Sequence, residues 1–365
     1  MSAAATTVSR LIKIPTIVDP HLHYRDFKEY KSGDVKSESL ASLEGGVSSG
    51  LLMPNTSPPL NTLQRLKDYN TLVKLDCNIK PRLTILGTET FIEQPLTDIF
   101  EMCQIAYGVK LFLNKSHVKP QNMAYNSEIW VSIFNKISPK MKIFVHVEET
   151  AKFIEFLEVS KNYAYHYHIC HVHTKDILDL IIQYRKEYDM QITCEVCPHH
   201  LLKMCLGCHV KPTPSTFEDI DYLIQNIEHI DCLATDHAPH QTTENPGIAS
   251  TEFTASLYYT LVDMGILTIE RMVLMACINP RILLQIDDLE FSIPNHSYQL
   301  LQVNLDYYSK LQNIKITDFQ YLHSNYIILD TQYKGTFPKK FKFSKGINSI
   351  YFGMEYTGKI NSIKI

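Results

Sequence analysis

Residues 165–201 read YHYHICHVHTKDILDLIIQYRKEYDMQITCEVCPHHL, and the order of textures within them decides the fold. A β-rich run, Tyr165 to His173, passes into a stretch from Thr174 to Tyr188 whose apolar residues recur at three and four. A second β-rich run, Gln191 to Leu201, follows. Strand, amphipathic helix and strand in that order make a βαβ unit, the repeating piece of a parallel sheet. The same alternation extends in both directions. Further β-rich runs fall at Ile14 to His23, Val47 to Thr56, Arg82 to Thr88, Gly108 to Leu113, Lys142 to Glu148 and Asp231 to His240. Helix-period segments lie at Thr62 to Asp76, Asn126 to Ile137 and Thr216 to Ile227. Eight βα units predict an α/β fold, a closed (β/α)8 TIM-like barrel.

With about 150 residues per domain, a chain of 365 residues accommodates two domains or a barrel with an appendage. From about Asn295 onward the texture changes to aromatic and β-branched residues, with a short alternation at Asn325 to Leu329 and a turn-rich stretch at Lys334 to Asn348. The sequence therefore predicts a barrel over 1–290 and a small C-terminal β-rich extension over 291–365. The first strand begins after about a dozen residues, so the appendage is expected to come mostly from the C-terminal side.

Hydrophobic residues at 45% and charged residues at 20% exclude disorder and fibrous repeats. A formal charge of -4 provides no broad positive field, so the expected partner is a small molecule and not nucleic acid. No apolar run reaches the roughly 18 to 20 residues of a membrane span, and Arg10 and Lys13 interrupt the first eighteen residues where a secretory signal would be apolar. These features predict a soluble, cytoplasmic protein, and nine scattered cysteines fit reduced thiols. Histidine is concentrated: 11 of the 16 fall between His146 and His240, pointing to metal binding or proton transfer.

The candidates for that chemistry sit at strand ends. His21 and His23, two apart on one strand, can face the same point at the top of a barrel. His146 ends the fifth run, His171 the sixth and Asp236 the eighth. A lone histidine on an apolar strand is more often a satisfied core residue, but two at equivalent ends of successive strands favour a metal, and a carboxylate among apolar residues needs a partner. Lys110, in GVKLFLN at 108–114, is either a lysine with its ammonium in water or a buried amine able to take up carbon dioxide as a metal-bridging carbamate. Cys194-x-x-Cys197 and Cys205-x-x-Cys208 have the spacing of a structural zinc site, although ITCEVC also reads as a strand.

Together the motifs resemble those of the dihydroorotases of the amidohydrolase superfamily. They are VDPHLHYRD at 18–26, LLMPNTSPP at 51–59, GVKLFLN, FVHVE at 144–148, HICHVHT at 168–174, ITCEVCPHHL at 192–201, CLATDHAPH at 232–240, NPG at 245–247 and INPRILL at 278–284. The tail KKFKFSKGINSIYFG is similar to the segment that ends the branch fused into multifunctional animal pyrimidine enzymes. The resemblance implies reversible cyclisation of N-carbamoyl-L-aspartate to L-dihydroorotate in pyrimidine synthesis. It implies two zinc ions, one on His21, His23 and Asp236 and one on His146 and His171, bridged by carboxylated Lys110 and a hydroxide. Asp236 would act as general base and acid, while Arg25, Asn55 and His240 would hold the substrate carboxylate. It further implies a homodimer and an association with aspartate transcarbamoylase.

Three positions depart from the family pattern. Phe27-Lys28 replaces the usual Pro-Gly after HLHYRD, Lys211 stands where relatives place Arg or Asn, and Asn114 to His117, with Ser116 as its hydroxyl residue, occupies the lid position. Cys170, Glu195 and His240 are a candidate set for a third metal. The alternatives are a hydantoinase, dihydropyrimidinase or allantoinase on the same scaffold, and a catalytically dead scaffold, against which stand all six retained metal candidates.

Overall fold

The structure, a computed structural model, describes residues 10–114, 126–214, 216–293, 296–299 and 316–365. Strand β1 (Leu11–Pro15) is followed after one residue by β2 (Ile17–Leu22), then β3 (Val47–Leu52), β4 (Lys80–Leu86), β5 (Gly108–Phe112), β6 (Lys142–His146), β7 (His166–Ile169), β8 (Ile192–Val196) and β9 (Cys232–Leu233). Strands β2 to β9 pair in sequence order, all parallel. The ring is nearly closed: Leu22 bridges His237 in parallel, and the His23 N–H donates to the His237 carbonyl at 2.8 Å. A helix follows each barrel strand: Val35–Glu44, Leu63–Asp76, Leu96–Ile105, Ser127–Lys136, Thr150–Ser160, Lys175–Glu187, Phe217–Gln225 and Thr254–Asp263. This is the predicted TIM-like barrel.

Local chemistry sets the helix starts. Thr62, Asn126, Thr174 and Thr216 each stand in extended backbone and accept a backbone N–H three residues on, satisfying one of the orphan donors of the first turn. In Lys175–Glu187 the buried residues Ile177, Leu178, Ile181 and Tyr184 form one stripe against the sheet. Several strands are shorter than predicted. His171 and Asp236 adopt left-handed backbone, with φ of 37° and 48°, which turns the chain out of the ladder just after β7 and β9.

The first predicted run, Ile14 to His23, spans two strands belonging to different sheets. Strand β1 pairs antiparallel with β12 (Tyr326–Thr336), which pairs with β13 (Glu355–Lys364), after a separate hairpin of β10 (Glu290–Ile293) and β11 (His296–Gln299). The small sheet thus takes one strand from the N-terminal side, from Leu11↔Asp330 to Pro15↔Tyr326. It is anchored on helix Thr254–Asp263, where the Thr357 hydroxyl donates to Asp263 at 2.7 Å and the Thr357 N–H to the Thr260 hydroxyl at 3.1 Å. Among the described residues no helix is long and apolar enough to cross a membrane.

Candidate active site

Register brings the candidate residues to one end of the barrel. Lys110 on β5 is paired with Phe144 on β6, and Phe144 with His168 on β7, so these side chains share the inner face. His146, two beyond Phe144, and Glu195, two beyond the His168 partner Thr193, share it too. His21, His23, His171 and Asp236 join them from the ends of β2, β7 and β9, the C-terminal face where barrel sites are built. All four histidines and Lys110 are buried.

Asp236 Oδ1 lies 3.3 Å from His21 Nε2 and 3.2 Å from His23 Nε2. On the other side His146 Nδ1 is 3.0 Å from His171 Nε2, and the His21 and His171 rings are 5.1 Å apart. Lys110 Nζ is 2.9 Å from Cys170 Sγ, and its cation depresses the basicity of all four histidines. Burial is the larger cause: it and the Lys110 cation push His21 down to about 4, while burial lowers His146 and takes His23 and His171 well below the usual imidazole range. Neutral imidazoles facing one another and a carboxylate have the protonation state that metal binding requires. The set of His21, His23 and Asp236 is close enough for one ion to be shared. The buried His23 Nδ1 and His171 Nδ1 have no partner among the described residues. The donor set fits divalent metal on chemistry and placement.

The walls of the cleft over this cluster include Arg25, Asn55, Phe112, Lys211 and Gly247. Arg25 donates from Nε to the Pro239 carbonyl at 3.3 Å and from Nη2 to His240 Nε2 at 2.9 Å. The same His240 nitrogen lies 3.2 Å from the Pro246 carbonyl, and burial and the Arg25 cation push the ring down to about 3, so it is neutral. The Arg25 loop, with Phe27-Lys28 in place of Pro-Gly, carries three left-handed residues in a row, Arg25 to Phe27. Asp26 pins it by accepting the N–H groups of Phe27 at 2.8 Å and Val35 at 3.1 Å.

Two expectations about cysteines and extra metal are corrected. The partner of Cys170 and Glu195 is His21, not His240: His21 Nδ1 lies 2.5 Å from Glu195 Oε1, and the three ligand atoms form one group, while His240 faces Arg25. Cys170 lies past the end of β7, so strand alternation does not direct it outward. The four cysteines of the two CxxC pairs do not gather into one group among the described residues; Cys197 falls instead with His199 and His200, and the other three in no such cluster. Cys194 neighbours Thr193 and Glu195 on β8 and therefore points to the opposite face, where Arg185 Nη2 approaches it at 3.7 Å. Ser116 lies outside the described residues.

Sequence reasoning passed over three partners. Glu148 sits 3.0 Å from His146 Nε2 and pairs with Lys211 at 3.5 Å. His168 holds Glu195 at 3.0 Å, and Glu38 holds His237, next to Asp236, at 2.9 Å. Glu148 and His168 were inside quoted motifs, but nothing local distinguishes them, and the Glu38 partner is 199 residues away.

No protein-family profile matches the chain. It is 32% identical over 313 residues to the multifunctional protein CAD of Squalus acanthias, an alignment covering 81% of this chain and 13% of that protein. It is 26% identical over 385 residues to a dihydroorotase of Ligilactobacillus salivarius, covering 94% of this chain and 83% of the relative. An L-hydantoinase (dihydropyrimidinase) from Arthrobacter aurescens shares the fold, with a TM-score of 0.76 at 20% identity over 96% of this chain and 84% of that one. The chain spans 13% and 15% of the length of the first two curated relatives, both multifunctional proteins. The dihydroorotase and multifunctional relatives place the chain among the amidohydrolases. Within that class the chain is a dihydroorotase-like protein.

Proposed function

We propose that the chain is a dihydroorotase, a zinc-dependent cyclic amidohydrolase that interconverts L-dihydroorotate and N-carbamoyl-L-aspartate in the cytoplasm. The observation that carries this reading is the placement of Arg25 in the wall of the same cleft as Asp236 and the histidine cluster. A guanidinium fork suits a planar carboxylate, so the cleft is shaped for an acidic ring with its amide over the metal ligands. His21, His23 and Asp236 would hold one zinc, His146 and His171 a second, and a carboxylated Lys110 would join them. When bound, the ions polarise the amide carbonyl and lower the pKa of water. Asp236 takes the proton from the attacking water and delivers it to the ring nitrogen as the amide opens, and the reverse sequence closes the ring. Arg25, Asn55 and His240 fix the carboxylate, and Lys211, held by Glu148, faces the same space. The barrel is assigned to 1–290 and the extension, which borrows β1, to 291–365.

The test is dihydroorotate ring opening, compared with hydantoin and dihydrouracil, with zinc counted on the same sample. We expect turnover of dihydroorotate, about two zinc ions per chain, and a fall of roughly a thousandfold or more in kcat for Asp236→Ala and Lys110→Ala with the fold intact. Activity confined to the uncharged rings would make the chain a hydantoinase-like enzyme. A zinc-loaded protein inert towards every ring in both directions would be a scaffold.

A further inference from the structure

Residues 342–348 of the C-terminal extension are bonded almost residue by residue to the segments that follow β2 and β9. Glu252, nearly fully buried, accepts the N–H groups of Lys342 at 2.7 Å, Phe343 at 2.8 Å and Ser344 at 3.2 Å. Fully buried Glu38 accepts the Lys345 N–H at 3.0 Å. The other Glu38 oxygen faces His237 Nε2 at 2.9 Å. His237 Nδ1 accepts from the Ser250 and Thr251 N–H groups, so its proton sits on Nε2 and is donated to Glu38. The Lys345 ammonium reaches Asp34 and the Tyr30 carbonyl, on the loop that follows Arg25.

The strap ends on Asn348, whose side chain is 4% exposed and makes three bonds, all to one loop. Its Oδ1 accepts the His240 N–H at 2.7 Å, and its Nδ2 donates to the carbonyls of Ala238 at 3.0 Å and Gly247 at 2.9 Å. Neighbouring backbone adds Ile347 N–H to the His240 carbonyl at 2.9 Å and Ala249 N–H to the Asn348 carbonyl at 2.8 Å. The amide therefore ties together both ends of the 238–247 loop. Ala238, Pro246 and Gly247 of that loop line the cleft, and its His240 holds Arg25.

We propose that Asn348 is a positioning residue for carboxylate recognition: the C-terminal extension packs on the segment after β9 and, through this one amide, fixes His240 and thereby Arg25. This rests on the reading of Arg25 and His240 as the carboxylate site. An amide is suited to the task because it accepts and donates at once, while an aspartate keeps only the acceptor.

The experiment compares the full-length wild type with Asn348→Ala and Asn348→Asp, the latter retaining the His240 contact if the former does not fold. Removing bonds that hold a binding residue predicts a rise of about tenfold in KM for dihydroorotate in Asn348→Ala with a smaller fall in kcat, and at least as large a rise in Asn348→Asp, whose second oxygen faces the Ala238 and Gly247 carbonyls. Amide hydrogen exchange without substrate should accelerate at His240 and across 238–247 in both variants. Unchanged exchange in that loop, or a loss of kcat with KM unaltered, would overturn the proposal. A wild type that turns over no dihydroorotate refutes the assigned reaction, and the exchange readout then decides separately whether Asn348 holds the loop.

Discussion

Glu195 determines which way His21 can present its lone pair. With Nδ1 against Glu195 Oε1 and Nε2 facing Asp236, the imidazole is held at both ends. Glu195 is itself bonded by His168 Nε2, whose Nδ1 meets the Thr193 hydroxyl at 2.8 Å. Burial opposes its charge, yet the His21 ring and the bonds from His168 and His21 hold its carboxyl well below the usual range. Glu195→Gln keeps the shape and removes the charge, and support of this kind is worth about 10- to 100-fold in metal affinity. Zinc retention against a competing chelator should fall by that factor, and a variant that holds zinc as tightly as wild type would refute the support role. Arg25→Lys replaces a fork with a point charge and should raise KM for dihydroorotate by about tenfold while hydantoin, lacking the carboxylate, is unaffected. The candidate histidines and Asp236 were legible because they fall towards the ends of β-rich runs, whereas Lys110 lies in the middle of β5 and stood out only beside them. Glu38, Glu195 as the His21 partner, and Asn348 were obscure because their partners are between about a hundred and two hundred residues away.

At the scale of elements, caps and apolar stripes made four of the eight barrel helices plain, and the predicted Thr62 to Asp76 agrees with Leu63–Asp76 to within its cap. Strand ends were obscure for a physical reason. The chemistry-bearing residues continue the β-rich texture, but left-handed backbone at His171 and Asp236 takes them out of the ladder. The join of β1 to β2 was invisible because Thr16, the one residue between them, is buried and bonded to the Ser48 hydroxyl at 2.6 Å, so the run stays continuous in sequence while switching sheets. Strand β5 carries Lys110 and begins at Gly108, where a Cβ would lie 2.5 Å from both the Lys142 carbonyl and the Phe144 ring on β6. Gly108→Ala must push β5 away from β6, at a cost of about 1–3 kcal/mol typical of overpacking. Urea denaturation should show a lower midpoint with an unchanged slope, and because Lys110 moves with the strand, zinc content should fall as well.

For the whole molecule, the density of buried neutral histidines makes stability depend on pH. His200, its Nε2 donating to the Pro212 carbonyl at 3.1 Å, is pushed down to about 4 by burial. Burial and the nearby His200 ring push His173 down to about 3. An exposed imidazole in the unfolded chain titrates near 6.5. The folded-state values are lower, so below about pH 6.5 the unfolded state binds more protons and stability is lost as the pH falls towards 4. Above 6.5 both states are neutral at these sites and the contribution is fully present. Each such histidine adds a slope of up to about 1.4 kcal/mol per pH unit in that window. Chemical denaturation of chelator-treated protein between pH 7.5 and about 4.5, above the range where carboxylates dominate, should therefore show a plateau followed by a steep decline. His200→Gln, which retains a donor for the Pro212 carbonyl but cannot charge, should flatten the decline by about 1.4 kcal/mol per pH unit at its lower end. An unaltered slope in that variant would mean that His200 is already solvated or protonated in the folded state, contrary to its burial beside His171.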